Sequence, residues 1–272
     1  MKPILKVEDL SVILNSKKSG KVLVENSDFE VYPGECLGIL GESGSGKSMT
    51  VKSFLGLLDK QFTAKGSAWF EGKNLMHEGK ESLRSIRGKE ISMVLQNPMT
   101  CFDPLYRIGN QMSETFATHT KWSSKEIREN SMDILKRMHI RNPEEVLEKY
   151  PHQLSGGMLQ RIMIGLAVSL KPKLLIADEP TTAIDSITQH EILNAFLEIK
   201  EQHNTAMIFI SHDLGAISKV ADKIVVMNKG QIVDRGDFHH ILHHAKDSYT
   251  RLLIEKRNAV LNRYQKVLGG AV

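Results

Sequence analysis

The stretch Gly41–Ser48, "GESGSGKS", constrains this chain more than any other feature. It follows a short apolar run, "CLGILG", and precedes "KSMTVKSFLGLL", whose apolar residues recur at helical spacing. In the order strand, glycine loop, helix, free backbone N–H groups at the helix start can cradle an anion. Gly41 and Gly46 permit the sharp turns, Lys47 reaches the β- and γ-phosphates of a nucleotide, and Ser48 ligates Mg²⁺. The binding segment comprises Gly41, Glu42, Ser43, Gly44, Ser45, Gly46, Lys47, Ser48 and Met49.

A second anion-binding pattern stands more than a hundred residues downstream. In "LSGGMLQRIM", Leu154 to Met163, a serine and two glycines open a helical stretch. "LLIADEP" then places Asp178 and Glu179 at the end of a buried strand, where carboxylates are costly unless they meet a metal or a partner. Asp178 is expected to hold the Mg²⁺ shell and Glu179 to orient or deprotonate an attacking water. His212 in "ISHD" and Gln96 in "VLQNP" also leave strand ends, the edge at which α/β proteins bind ligands. Gln96 is expected to touch the Mg²⁺ or the attacking water. Together these motifs make nucleotide hydrolysis the leading expectation.

Composition narrows the classes. With 272 residues the chain can bury a core without staples. At 41% hydrophobic and 25% charged residues it reads as an ordinary globular chain, neither disordered nor membrane-spanning. A formal net charge of +4 is too small to argue for nucleic acid and is compatible with work beside an anionic membrane surface. Cys36 and Cys101 offer neither zinc spacing nor a disulfide framework, which suits a reducing cytosolic compartment. The start "MKPILKVEDLSV" lacks an apolar leader core, and "IMIGLAVSL" is too short to span a bilayer, so a membrane would be met by docking.

The first part alternates β-like runs and turns: "ILKVEDLSVIL", "KSGK" (Lys18–Lys21), "VLVENSDFEVY" and "PGE". Polar, helix-forming sequence follows, notably "SSKEIRENSMDILKRM", which Ser123 or Ser124 can cap. The apolar runs "KLLIAD", "AMIFIS" and "KIVVMN" alternate with helical stretches and read as a resumed parallel sheet, with "GQIVDRGD" as a final hairpin strand. The predicted fold is an α/β P-loop core with a mainly parallel sheet, an N-terminal antiparallel β subdomain and an inserted helical subdomain. The boundaries read as 1–96 for the β subdomain and first core part, 97–160 for the helical subdomain, 161–237 for the second core part, and 238–272 for a helical extension. In that extension "DFHHILHHAKD" sets His239 and His243, or His240 and His244, one helical turn apart. With no third ligand in sight it reads as a solvated helix, a two-histidine metal site being the alternative.

The order of motifs, from the P-loop through Gln96, "LSGGM", "LLIADE", "TAID" (Thr182 to Asp185) and His212, resembles the ATP-binding cassette family from about Ile4 to Asp237. The resemblance implies that two ATPase subunits pack head to tail, each ATP lying between one P-loop and the other subunit's signature. It assigns Ser155, Gly156 and Gly157 to the partner's nucleotide, Asp185 to the junction of the two sites, and His212 to the γ-phosphate. Met158 stands where the family usually has glutamine. Met1 to Asp28 holds no aromatic residue to stack on adenine, which leaves Leu14 or Ile13 as aliphatic contacts.

"QNPMTCFDPL", Gln96 to Leu105, and "SGGMLQR" look like the importer subgroup that handles peptides, nickel and metal–chelate complexes. That subgroup implies ATP and Mg²⁺ as cofactors, a homologous second ATPase subunit or a homodimer, two membrane permease subunits met through the segment after Gln96, and an extracytoplasmic solute-binding protein, at the cytoplasmic face of the membrane. Many peptide-type members carry a longer tail, sometimes with clustered cysteines; this short tail has none, which favours nickel or metal-chelate import over oligopeptide or dipeptide import. An exporter ATPase is the more distant alternative.

Overall fold

The computed structural model describes residues 2–15, 20–182 and 184–269, with side chains placed except at 202–203 and 260–269. The "KSGK" turn therefore lies partly outside the described residues, as does Ala183 within "TAID". The chain forms two compact units, Met1–His77 with Phe209–Val272, and Glu78–Ile208.

In the first unit β1 (Leu5–Leu14) pairs antiparallel with β2 (Lys21–Val31) on one side and β4 (Phe62–Phe70) on the other, and β5 (Lys73–Asn74) extends the sheet. Strand β1 buries Leu5 and Val7, then Leu10 and Val12, so the inward parity changes midway. A bulge causes it: Asp9 takes φ +50°, and the pairing with β4 shifts between Glu8 and Ser11. Without that extra residue Leu10 and Val12 would face solvent. Gly66 lies against the bulge, where a Cβ would sit 2.5 Å from the Asp9 carbonyl oxygen.

The remaining strands form one six-stranded sheet. Strand β3 (Cys36–Leu40), buried throughout, runs into the glycine loop and α1 (Lys47–Phe54). That helix is shorter than its sequence pattern because the chain turns at Gly56, φ +62°. The second unit holds α2 (Lys80–Ile86), β6 (Ile91–Val94), the helices α3 (Ile108–His119), α4 (Ser124–Arg137), α5 (Pro143–Leu147) and α6 (Gly156–Ser169), then β7 (Leu174–Asp178) and α7 (Ser186–His203). Of the two serines able to cap α4 it is Ser123 that does so, in a reciprocal box with Glu126. Strand β8 (Ala206–Ser211) carries the chain from the second unit back into the first, followed by α8 (Leu214–Val220), β9 (Lys223–Asn228), β10 (Gln231–Gly236), α9 (Phe238–His244) and α10 (Ser248–Gly269). The sheet order is β10-β9-β3-β8-β7-β6. The β3–β9 and β6–β7 pairs are parallel, and the β9–β10 hairpin is antiparallel. Its two-residue turn, Lys229–Gly230, has both φ values positive (+48° and +87°), matching the right-handed twist of the strands.

Candidate functional site

In the first unit the loop after β3 owes its shape to different glycines for different reasons. Gly44 and Gly46 hold the left-handed backbone, φ +81° and +105°. Gly41 is required by space: a Cβ there would lie 2.4 Å from the Met227 carbonyl oxygen and 2.6 Å from Ser45 Oγ. Gly46 is the N-cap of α1 and, as glycine, brings no side chain to its first N–H groups. Lys47 is 4% exposed, and its Nζ donates to the carbonyls of Gly41 (2.7 Å) and Glu42 (3.0 Å). Ser45 Oγ is buried without a hydrogen-bond partner among the described residues. Ser48 and Met49 continue into α1, half-buried. His212 follows the last residue of β8 and is exposed; next to it Asp213 caps α8 through Gly215 N–H at 2.7 Å. Ile13 and Leu14, at the end of β1, are half-buried.

In the second unit Gln96 is exposed two residues beyond β6. Asn97 then caps a short 3₁₀ turn, Pro98–Thr100, and the segment leaves Leu95, Met99, Leu105 and Tyr106 exposed. Asp178 and Glu179, at the end of β7, are 3% and 7% exposed. Glu179 has φ +52°, rare for a residue with a Cβ and held at a cost of about 1–3 kcal/mol. Thr182 holds it there, donating its hydroxyl to Glu179 Oε2 at 2.7 Å and its N–H to the Glu179 carbonyl at 3.2 Å. Sequence reasoning missed Thr182 as a partner of this carboxylate; a hydroxyl three residues after it was the available signal.

Ser155 is the N-cap of α6, its Oγ accepting from Met158 N–H at 3.2 Å. The two glycines after it differ. A Cβ on Gly156 would meet nothing within 4 Å, whereas one on Gly157 would lie 2.8 Å from Thr188 Cγ2 on α7. Gly157→Ala should therefore overpack that contact and destabilise the fold by about 1–3 kcal/mol. Combining it with Thr188→Ser, which deletes the clashing methyl, should restore most of the loss in urea denaturation. Asp185 caps α7, accepting from Ile187 and Thr188 N–H at 3.1 and 3.0 Å. Thr188, through its N–H and then its hydroxyl, holds the Asp185 carboxyl below the ordinary aspartate range. The cap's contribution is accordingly complete at neutral pH and lost as pH falls through that lowered value.

The Ser48 hydroxyl, Gln96 amide and Asp178 carboxylate, the residues expected at Mg²⁺, offer oxygen donors of the hard class that this ion takes. His239 and His243 lie beside each other on α9 with ring centroids 4.7 Å apart and the rings tilted by 50°. Among the described residues no group of three or more His, Cys, Asp or Glu is placed to hold a metal, and no helix is long and apolar enough to cross a membrane.

The family model described as "ABC transporter" matches residues 24–182, more than half of the chain. This chain belongs to the ABC transporter family. Within that family it is an ATPase subunit, binding ATP with Mg²⁺ and hydrolysing it. It is 44% identical over 250 residues to the metal-staphylopine import system ATP-binding protein CntD of Staphylococcus aureus, covering 92% of each chain. It is 39% identical to the dipeptide transport ATP-binding protein DppD of Escherichia coli, covering 92% of this chain and 77% of that one. The fold matches a dimeric ATP-binding cassette solved in a post-hydrolysis state with ADP and Pi, at a TM-score of 0.78 and 22% identity, over 86% of this chain and 98% of that one.

Proposed function

We propose that this ABC transporter ATPase powers the import of a metal–chelate complex. The observation that carries the reading is the 44% identity to a metal-chelate import ATPase across nearly the full length of both chains. The 39% identity to a dipeptide transport ATPase supports peptide import as the second reading. The chain works at the cytoplasmic face of the membrane, paired with a homologous ATPase subunit or a second copy. It docks on two permease subunits through the exposed segment after Gln96, and an extracytoplasmic protein delivers the solute.

In this reading Gly41 to Met49 wrap the phosphates with their N–H groups, and Lys47 turns its Nζ from the Gly41 and Glu42 carbonyls to the β- and γ-phosphates. Ser48, Gln96 and Asp178 would hold Mg²⁺, which would neutralise charge developing on the phosphate oxygens. Glu179, fixed by Thr182, takes the proton of the attacking water, and His212 reads the γ-phosphate. Ser155, Gly156 and Gly157 receive the nucleotide of the opposing subunit, with Asp185 at the junction.

The test is the ATPase rate of the reconstituted complex, permeases and binding protein included. A binding protein loaded with a nickel chelate should raise the rate severalfold, and one loaded with dipeptide should leave it at the basal level. The reverse pattern would replace the first reading with the second.

A further inference from the structure

The phosphate loop is tied to a part of the chain 207 residues away. The Glu42 N–H donates to the Tyr249 hydroxyl at 2.7 Å, and Lys256 Nζ pairs with Glu42 Oε1 at 2.9 Å. Tyr249 and Lys256 lie seven residues apart on α10, so both project from one face of the helix. The start of α10 is itself anchored. The buried Asp234 of β10 accepts from the N–H groups of Lys246 and Asp247 at 3.2 and 3.1 Å, and Asp247 Oδ1 then accepts from Tyr249 N–H at 2.8 Å. Thr250 and Ile254 bury another face of the helix.

Glu42 is a junction. Its carbonyl accepts from Lys47 Nζ and from Ser45 N–H, while its N–H goes to Tyr249. The Glu42 N–H shares its peptide unit with the Gly41 carbonyl, which also accepts from Lys47 Nζ, so whatever holds this residue sets where Lys47 starts from and how the turn before Gly44 is shaped. The Glu42 carboxylate is moreover a negative charge on a loop assigned to an anionic ligand, and Lys256 offsets it.

We propose that α10 is a strap on the phosphate loop, with Tyr249 and Lys256 as positioning residues that fix Glu42 and raise the affinity for Mg-ATP. The inference rests on the reading of Gly41–Ser48 as the phosphate site. Without the strap the loop must be ordered by the nucleotide itself, so the loss falls on binding and not on the chemical step.

The experiment is titration of the full chain with a fluorescent ATP analogue and Mg²⁺, alongside steady-state ATPase kinetics. Tyr249→Phe, which removes only the hydroxyl, should weaken binding about three- to tenfold, in line with one lost hydrogen bond. KM should rise by the same factor while kcat stays within about twofold. Lys256→Ala, an exposed change that spares the fold, should weaken binding about two- to fivefold as expected of a surface ion pair, and Lys256→Arg should restore it. Lys47→Ala is the control and should abolish binding. If Lys47→Ala loses binding while Tyr249→Phe and Lys256→Ala bind as the native chain does, the strap is refuted and the phosphate site stands. If Lys47→Ala binds normally, both fall.

Discussion

Replacing Glu179 by glutamine should leave Mg-ATP binding intact and slow hydrolysis by about 10²–10⁴-fold, the range a positioned general base contributes. The structural argument is the fixed carboxylate. Glu179 is buried at the end of β7, held in a left-handed backbone conformation, with one oxygen taken by the Thr182 hydroxyl. Glutamine keeps the shape and can still accept from Thr182, so the fold is preserved and only the proton acceptor is lost. Nucleotide should then accumulate uncleaved, and size-exclusion chromatography should show a trapped dimer in Mg-ATP. Turnover near the native rate would remove Glu179 from the role of base.

Ser155→Arg should likewise leave ATP binding normal at this chain's own phosphate loop, but should cause failure at the site it completes on its partner. Ser155 is exposed at the start of α6, its Oγ on Met158 N–H, while Gly41–Ser48 belongs to the other compact unit. Losing the cap alone costs about 0.5–2 kcal/mol. Ser155→Ala shares that cost without adding a bulky cation, so comparing the two variants separates the cap from obstruction of the anion site. With the two subunits of a complex photolabelled separately by a reactive ATP analogue, the chain carrying Ser155→Arg should label as the native chain does, while its partner should label at least tenfold less. Equal labelling of both chains would contradict the shared site.

Much of the fold could be read from local pattern because the strands that carry the loops are uniformly apolar. "CLGIL", "LLIAD" and "AMIFIS" are buried at every position, which only a sheet covered on both faces allows. Strand β4, "FTAKGSAWF", escaped notice because its small and polar residues leave most positions exposed or half-exposed, and its alternation slips at Lys65–Gly66, leaving runs too short on either side to read as a strand. The bulge in β1 is explained only by long-range pairing, Asp9 being shaped by Gly66 of another strand. At the site the same division holds. Residue type and spacing pointed to Lys47, Asp178 and Glu179, but the division of labour among glycines was hidden. Gly41 is needed for its neighbours Met227 and Ser45, and Gly157 for Thr188, facts that depend on which elements pack together. Tyr249 and Lys256 gave no signal at all, since their partner lies over two hundred residues earlier in the chain.

In the proposed shared site each nucleotide needs a phosphate loop from one subunit and a signature serine from another. The direct measurement is ATPase activity per chain as the concentration of the purified protein is raised, with oligomeric state followed by light scattering in the same samples. Turnover per chain should be low in the dilute monomer and climb with the fraction of dimer, as mass action requires. Full turnover by a strict monomer, constant across concentration, would contradict it.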